Sequence, residues 1–333
     1  MRLHARGLIP LTLAALLATA GCGESGSSGN GDGNTGGGET EASGETCAPI
    51  PGDALVVLED DQGLQAVDNV IPAVNAEAAQ ASPELLEVLN TVSEILTTED
   101  LVNLNAAVDI ERQSATDVAA TFVEENDLGT GGSGSGDVAV GAAGFTENQI
   151  LGNIYAGALN NAGFTATVQT VGQREAYLPA LTDGEFQVQA EYVGTLTEYL
   201  DGNPDEAVAS SDLDATVEVL RELGDEAGLV FGEPAEAADE NAFAITTTLQ
   251  EELGGITTLS ELAEACSDGS LVLAGTPECP TRPFCQPGLE EVYGFTFGSV
   301  QDYDLGAPTN QAVLQGEASL ALALSTDPIF AQE

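Results

Sequence analysis

The chain has 333 residues, with 55 Asp and Glu against six Arg and no Lys, and its formal net charge at pH 7 is −49. Nucleic-acid binding and adhesion to anionic lipid both require clusters of cationic side chains, so this balance excludes both classes of partner. Such acidity without Lys indicates adaptation to a salty medium, where counter-ions screen the repulsion between carboxylates.

Residues 1–22 are typical of an export signal, because Arg2 and Arg6 precede an apolar run and a small-residue end. That end, "TAGC", resembles a bacterial lipobox and implies lipidation of Cys22; a plain secretory signal is the alternative. No later apolar run reaches the ~18 residues of a membrane-spanning helix, so we expect attachment by lipid alone. Residues 23–52, rich in Gly and Ser, predict a flexible tether on the outer face of the cytoplasmic membrane or in the periplasm.

The segment 53–128 predicts one strand followed by three helices. The apolar run "ALVVL" at 54–58 favours a buried strand, and apolar residues then recur at helical spacing. Ser114 with Asp117 resembles a capping box in front of the third helix. The helices are predicted over 82–96, 97–108 and 114–126. The Gly- and Ser-rich stretch 129–137 then predicts a flexible linker.

Beyond the linker, strands and helices alternate, which indicates an α/β fold. Thr146 and Gln149 predict a capping box at the start of one long helix, and Gly163 predicts its end. Strands are predicted over 138–141, 164–171, 186–195, 242–246, 271–275 and 318–324. Helices are predicted over 146–163, 174–181, 211–227, 258–266, 287–293 and 307–315.

The chain contains a single His, His4, which leaves with the export signal. Without His or Lys, the mature chain lacks the residues for Ser-His-Asp or Cys-His catalysis, for a Schiff base and for a His-ligated metal. We therefore expect no cofactor and no metal, and the composition argues against an enzyme. A hydrolase that uses two carboxylates stays open as an alternative.

Four Cys lie beyond the signal, and export favours disulfides. Cys279 and Cys285 flank the short stretch "PTRPF", which one bridge could close. Cys47 and Cys266 form the remaining, weaker pairing. A four-Cys zinc site would show C-x-x-C spacing, which the chain lacks.

Six stretches resemble the substrate-binding proteins of osmoprotectant ABC importers, which capture glycine betaine, choline, carnitine and related quaternary amines. They are "VVLEDDQGLQAVDNVIPAV", "GFTENQILGNIYAGAL", "GQREAYLPALTDGEFQVQAEYVGTLTEYL", "ENAFAIT", "PECPTRPFCQPGLEEVYGF" and "STDP". The resemblance implies a two-lobed, periplasmic-binding-protein-like fold of type II with a hinged cleft. It also implies a quaternary amine as ligand, an ABC permease and ATPase as partners, and no catalysis.

The order of these stretches departs from the family, in which the "LEDDQGLQ" segment follows "STDP". The chain therefore resembles a circular permutation, in which 129–137 joins the old ends; a separate domain over 53–128 is the alternative. The implied first lobe combines 53–128 with 138–192. The implied second lobe is 193–324, and 325–333 returns to the first lobe, with crossings near 192–194 and 325–327.

A quaternary ammonium offers no hydrogen-bond donor, so aromatic faces must hold it through cation–π attraction. By resemblance, Tyr192 is the first candidate for such a cage. Phe243 lies where the family often has a Tyr, and Tyr177 and Phe284 lie in matching stretches. Core packing is the alternative for each ring.

Polar candidates would recognise a carboxylate or hydroxyl on the same ligand. Arg174 and Arg282 are two of only four Arg beyond the signal. Either could bind a carboxylate of the ligand through two nitrogens, or form an ion pair with an acidic side chain of the protein. The stretch "GFTE" turns Phe145, Thr146 and a helix N-terminus towards the implied cleft. Further candidates are Thr195, Asn241 and Asp327.

Two differences matter for the ligand. Ala143 stands where some family members carry a Lys, which leaves recognition of a carboxylate open. Asp327 beside a cage would favour a cation without its own carboxylate, such as choline. A signalling or adhesion lipoprotein on the same fold is the alternative function. The choice among betaine, choline and carnitine stays open.

Overall fold

The structure, a computed structural model, describes residues 47–203 and 207–331. The predicted signal with Cys22 and most of the predicted tether lie outside the described residues. Ten strands are present in this part of the chain: β1 Leu55–Leu58, β2 Val70–Asn75, β3 Asp137–Ala142, β4 Thr165–Thr170, β5 Val188–Tyr192, β6 Leu229–Phe231, β7 Asn241–Thr246, β8 Leu271–Gly275, β9 Phe297–Asp302 and β10 Leu320–Leu324.

Twelve α-helices accompany the strands of the described residues: α1 Ala76–Ala81, α2 Glu84–Ser93, α3 Thr98–Asp109, α4 Ala115–Glu125, α5 Thr146–Asn161, α6 Arg174–Thr182, α7 Val193–Asp201, α8 Leu213–Ala227, α9 Thr247–Glu252, α10 Leu259–Ala265, α11 Gln286–Gly288 and α12 Ala307–Leu314. A π-helical turn follows α11 at Leu289–Tyr293, and a 3-10 turn closes the chain at Pro328–Phe330. Within 47–203 and 207–331, no helix has the length and apolar character to cross a membrane.

The first sheet has the strand order β4-β3-β5-β2-β6 and forms the first lobe. β3 runs parallel to β4 and β5, whereas β2 runs antiparallel to β5 and β6. One face packs on α2 and α5 through Leu89, Ile154 and Tyr155. The opposite face packs through Phe186 and Leu220, so both faces of the sheet are covered.

The second sheet, with the order β1-β7-β10-β8-β9, forms the second lobe. β7 runs antiparallel to both of its neighbours, and β8 runs parallel to β9 and β10. Its two apolar clusters lie under α10 and α12. A disulfide between Cys47 and Cys266 fastens the first described residue to this lobe, with the two Cα atoms 5.5 Å apart.

The lobe boundary differs from the expected one. The chain does not leave the first lobe at 192–194, because α7, α8 and β6 follow there and pack on the first sheet through Val193, Leu196 and Leu220. Their apolar faces cover a sheet face that would otherwise be open to water. The crossing segments are instead 59–69, between β1 and β2, and 232–240, between β6 and β7.

The predicted strand at 54–58 also belongs to a different lobe than expected. β1 is the edge strand of the second sheet and pairs with β7, with Leu55 opposite Thr246 and Leu58 opposite Phe243. The segment 53–128 therefore contributes one strand to each sheet. It is not a separate domain, since β2 lies between β5 and β6 inside the first sheet.

The Gly-rich stretch 129–137 packs against the first lobe, whereas the composition predicted a flexible linker. The Gly134 amide donates to the Ala162 carbonyl at 2.8 Å, and Leu128 is buried. A Cβ atom at Gly129 would lie 1.9 Å from the Ala158 carbonyl oxygen, so this approach requires Gly. Gly129 and Gly132 thus pack closely on the end of α5.

Helix starts and several short elements also differ from the predictions. Phe145, not a capping side chain, precedes α5, because the Thr146 hydroxyl donates to Asp109 Oδ1 at 2.8 Å instead. Ser114 does cap α4, since its hydroxyl accepts from the Asp117 amide. The pattern did not predict β2, β6, β9, α1, α7 or α9, most of which are six residues or fewer.

The close contact at Gly194 allows a test of how the first crossing segment packs against α7. A Cβ atom there would lie 2.2 Å from the Val67 carbonyl oxygen, a backbone atom that cannot move aside. We expect Gly194→Ala to lower the free energy of unfolding by about 1–3 kcal/mol, measured by urea denaturation. Gly144→Ala is the control, because nothing lies within 4 Å of its Cβ position. Equal stability of the two variants would contradict this packing.

Candidate functional site

A cavity of about 530 Å³ lies where the two crossing segments meet the first lobe and a loop of the second lobe. β3 and β5 run parallel and end at the same edge of their sheet, as a topological switch point requires. The residues after these strands, Phe145 and Thr195, reach the cavity from α5 and α7. Asp68, Asp239 and their neighbours enter from the crossing segments.

Seven of the eleven ligand-binding candidates line this cavity. They are Phe145, Arg174, Tyr192, Thr195, Asn241, Arg282 and Phe284. The remaining four, Thr146, Tyr177, Phe243 and Asp327, do not line it. The sequence therefore indicated seven of the seventeen residues that line the cavity, and the four other positions have local structural explanations.

Phe243 lies in the core of the second lobe and is 1% exposed. It occupies the middle of β7, opposite Leu58 on one neighbour and Leu322 on the other. Alternation along β7 directs this ring into the apolar cluster, so it is a core residue and not a wall of the cavity.

Asp327 and Thr146 make local hydrogen bonds beside the cavity. The Asp327 carboxylate accepts from Asn310 Nδ2 at 3.0 Å and from the Leu324 amide at 3.2 Å, which closes the turn after β10. Thr146 bonds to Asp109, as described above. These hydrogen bonds account for the positions of both side chains.

Two aromatic rings of the first lobe stand together on the cavity wall. The ring centroids of Phe145 and Tyr192 are 6.4 Å apart, with 32° between the ring planes. Phe145 is 47% exposed, which is high for an aromatic ring, whereas Tyr192 is almost buried. Phe284 adds a third, half-buried ring from the second lobe.

A buried polar network lies behind Tyr192. The Tyr192 hydroxyl donates to Glu147 Oε1 at 2.6 Å, and Asn105 Nδ2 donates to Glu147 Oε2 at 2.8 Å. Asn105 also donates to the Thr326 carbonyl, and the Thr326 hydroxyl donates to Asp239 Oδ1 at 2.7 Å. Burial raises the pKa of the Tyr192 phenol, and the adjacent Glu147 carboxylate raises it further.

Arg174 is held on the wall by an ion pair with Glu191. The two side chains meet at 2.7 Å, and the same Arg174 nitrogen donates to the Thr195 hydroxyl at 3.1 Å. The Tyr177 hydroxyl donates to the other Glu191 oxygen at 2.7 Å, so Tyr177 supports this pair from behind the wall. Burial lowers the pKa of the guanidinium, but the Glu191 charge outweighs it and the net shift is upward.

Four carboxylates line the cavity, from Asp68, Glu198, Asp239 and Glu240. In the part of the chain that the structure describes, none of them forms an ion pair. Burial raises the pKa of Asp68 from 3.8 to about 7, although the Thr195 amide at 2.9 Å lowers it. Burial also raises the pKa of Asp239 and Glu240, so these carboxyl groups favour the neutral form unless a cation lies beside them.

The second lobe reaches the cavity through the loop between Cys279 and Cys285. These residues form a disulfide with their Cα atoms 5.2 Å apart. Gln65 Nε2, from the first crossing segment, donates to the Phe284 carbonyl at 3.0 Å and holds the loop in place. Arg282 is exposed on this loop and makes no ion pair with any residue the structure describes.

Sequence reasoning missed Gln65, Asp68, Glu147 and Asp239. Glu147 stands beside the predicted Thr146, but no sequence pattern signals that its side chain is buried behind Tyr192. Asp68 and Asp239 are two of 55 acids, and only the chain crossing between the lobes brings them together.

A larger groove of about 720 Å³ lies between α4, α5 and β4. Glu124 and Asp127 line it together with small and polar side chains. No aromatic ring is among its lining residues within the described chain, and no Arg is either. It lacks the convergent groups expected of a small-molecule site.

Two α/β lobes with a cavity at the carboxyl ends of parallel strands define a binding protein of the periplasmic, type II kind. A family model described as the substrate binding domain of an ABC-type glycine betaine transport system matches residues 46–125 and 136–333. The chain therefore belongs to this family, whose members are extracytoplasmic binding proteins and not enzymes.

Two curated relatives show lower similarity. The glycine-betaine-binding protein of Pseudomonas aeruginosa is 38% identical over 74 residues, which is 22% of this chain and 24% of that protein. The glycine betaine-binding protein YehZ of Escherichia coli is 26% identical over 199 residues, or 57% of this chain and 64% of that protein. The chain thus matches less than two thirds of the length of either relative.

The raised pKa of Asp68 predicts how stability depends on pH. Between pH 4 and pH 7 the native state binds a proton at Asp68 that the unfolded chain has lost, so stability falls as pH rises through this window. Above pH 7, the full loss in the free energy of unfolding from this shift is on the order of 4 kcal/mol. Urea denaturation at pH 4.5 and 7.5 in high salt measures the slope, which Asp68→Asn should reduce. An unchanged slope in this variant would contradict the shift.

Proposed function

We propose that this protein captures a quaternary-ammonium osmoprotectant, such as glycine betaine or choline, in the cavity between its lobes and delivers it to an ABC permease. The observation that carries the proposal is that one cavity combines three aromatic rings with acidic side chains that form no ion pair within the described residues. Family membership supplies the setting of an ABC importer.

The chemistry of the wall suits a methylated cation. Such a cation is attracted to ring faces, and Phe145, Tyr192 and Phe284 offer three. A bound cation would favour the ionised forms of Asp68 and Asp239, whose pKa burial raises, and water would weaken their attraction to it only a little. A neutral or anionic solute would leave these side chains protonated and would gain no such attraction.

Two guanidinium groups could serve a carboxylate on the same ligand. Arg174 Nε is buried without a hydrogen-bond partner in the described chain, although the same side chain is bound to Glu191. Arg282 is exposed on the opposite lobe. Closure of the lobes would bring Arg282 towards a ligand that already rests on the rings.

Delivery to a permease and attachment through Cys22 complete the proposed role. The export signal and the tether support a place on the outer face of the cytoplasmic membrane. A permease recognises the closed form of a binding protein, so ligand binding and delivery are linked through the same hinge. A signalling or adhesion lipoprotein would bind ligand without stimulating a permease.

Calorimetry at high salt with glycine betaine, choline, carnitine and proline betaine tests the proposal. We expect at least one of them to bind tighter than millimolar, and Tyr192→Ala to weaken that binding by about 1–2 kcal/mol through the lost cation–π contact. Phe243→Leu is the control, because that ring lies in the second-lobe core. Absence of binding by all four solutes would refute the proposed function.

We also propose that the chain order is a circular permutation of the family order. Ile329 and Phe330 pack against the cluster that contains Leu55 of β1, so the far end of the chain lies beside the segment that would follow it. The family model matches in two parts that flank residues 126–135. Both facts support a family order in which the residue equivalent to 331 continues into the segment that begins near 54. In this chain, 129–137 would then be the new connection.

A chain opened within 129–137, with residue 331 joined by a short linker to residue 47, tests the permutation and keeps the disulfide between Cys47 and Cys266. We expect it to fold with an unchanged circular dichroism spectrum and to bind the same ligand within about threefold, since every strand neighbour is kept. The matched control is opened between β8 and α11 instead, inside the disulfide loop that lines the cavity. Failure of the first chain to fold would contradict the proposal.

A further inference from the structure

The contact between Tyr192 and Glu147 is the feature of the cavity wall that the proposed function does not use. Tyr192 is 6% exposed and Glu147 is 5% exposed, so water does not screen the 2.6 Å hydrogen bond between them. Glu147 lies in the first turn of α5, two residues after Phe145, whose ring also forms the wall.

The donors around Glu147 match an ionised carboxylate. Tyr192 donates to one oxygen and Asn105 to the other. The Asn105 amide cannot be turned over, because its NH₂ group also donates to the Thr326 carbonyl. The N-terminus of α5, a 16-residue helix, favours negative charge at this place. Burial opposes ionisation and raises the pKa of Glu147, although the hydrogen bonds from Tyr192 and Asn105 lower it.

A phenol that donates a hydrogen bond to a carboxylate carries more electron density in its ring. The ring face is then more negative, and cation–π attraction depends on that negative face. Hydrogen bonds polarise one another most strongly in buried surroundings, which is the situation of this pair. The effect acts on a cation at the ring and not on a neutral molecule of the same shape.

We propose that Glu147 is a positioning and specificity-determining residue, which orients Tyr192 and makes its ring a stronger binding face for a cation than for a neutral solute. This inference rests on the proposed function, since it assigns a source for the preference of that same site. Asn105 completes the arrangement by fixing the second oxygen of Glu147.

The test compares choline with 3,3-dimethylbutan-1-ol, its neutral isostere with carbon in place of nitrogen. We expect Glu147→Gln to weaken choline binding by about 3- to 10-fold and to change binding of the neutral alcohol by less than twofold. Tyr192→Phe should give the same pattern, because it keeps the ring and removes the hydroxyl. Calorimetry and ligand-observed NMR measure the two affinities.

Combining the two substitutions separates this inference from a general loss of packing. If Glu147 acts through the Tyr192 hydroxyl, the double variant binds choline no more weakly than the weaker single variant. Additive losses, or equal losses for choline and the alcohol, would overturn the inference. If Glu147→Gln fails to fold, Tyr192→Phe with the two ligands decides the question alone.

Tyr303→Phe is the matched control. Its hydroxyl lies 3.1 Å from Glu317 Oε2 and 2.9 Å from Gln301 Oε1, and the residue does not line the cavity. This substitution removes a phenol hydroxyl that lies beside a carboxylate outside the cavity. Choline binding should therefore be unchanged. Wild-type protein that binds no quaternary amine would refute the proposed function and this inference together. Wild-type binding with no effect of Glu147→Gln would overturn the inference alone.

Discussion

Burial of carboxylates where the chain crosses between the lobes constrains both the fold and the cavity. Asp68 and Asp239 sit on the two crossing segments, and Glu147 begins the helix that faces them. Each buried acid needs donors, and the Thr195 amide, the Thr326 hydroxyl and the Tyr192 phenol supply them. The lobes are therefore joined by polar contacts that fix side chains of the wall.

The strong surface charge of the protein does not by itself select a ligand, because salt screens it. At the ionic strength that such acidity indicates, the screening length falls to a few ångströms, so attraction of a cation from a distance is weak. Selection must act at contact, inside a cavity from which water is partly excluded. Under the proposed function, the rings of Phe145 and Tyr192 would provide such contacts, together with Asp68 and Asp239, which form no ion pair within the described residues.

Hydrophobic periodicity predicted the α/β class and most long elements, because strands such as β8 and helices such as α8 carry their own pattern. Lobe membership could not be predicted in that way. β1 is a four-residue apolar run that would suit either sheet, and only its pairing with β7 assigns it. Phe243 and Tyr192 are both strand aromatics, but the end of β5 opens to the cavity whereas mid-β7 lies in the core. The resemblance to the family, not the pattern, made Tyr192 a candidate, and Tyr192 lines the cavity.

The geometry of α5 explains why a rearranged chain order need not disturb the cavity. Its first turn carries Glu147 and follows Phe145, whereas its last turn packs against the Gly-rich stretch 129–137. A helix of 16 residues is about 24 Å long, so a junction at 129–137 lies far from the rings. Both crossing segments stay continuous in either order. The proposed permutation thus changes where the chain begins and leaves intact the connections that hold the binding wall.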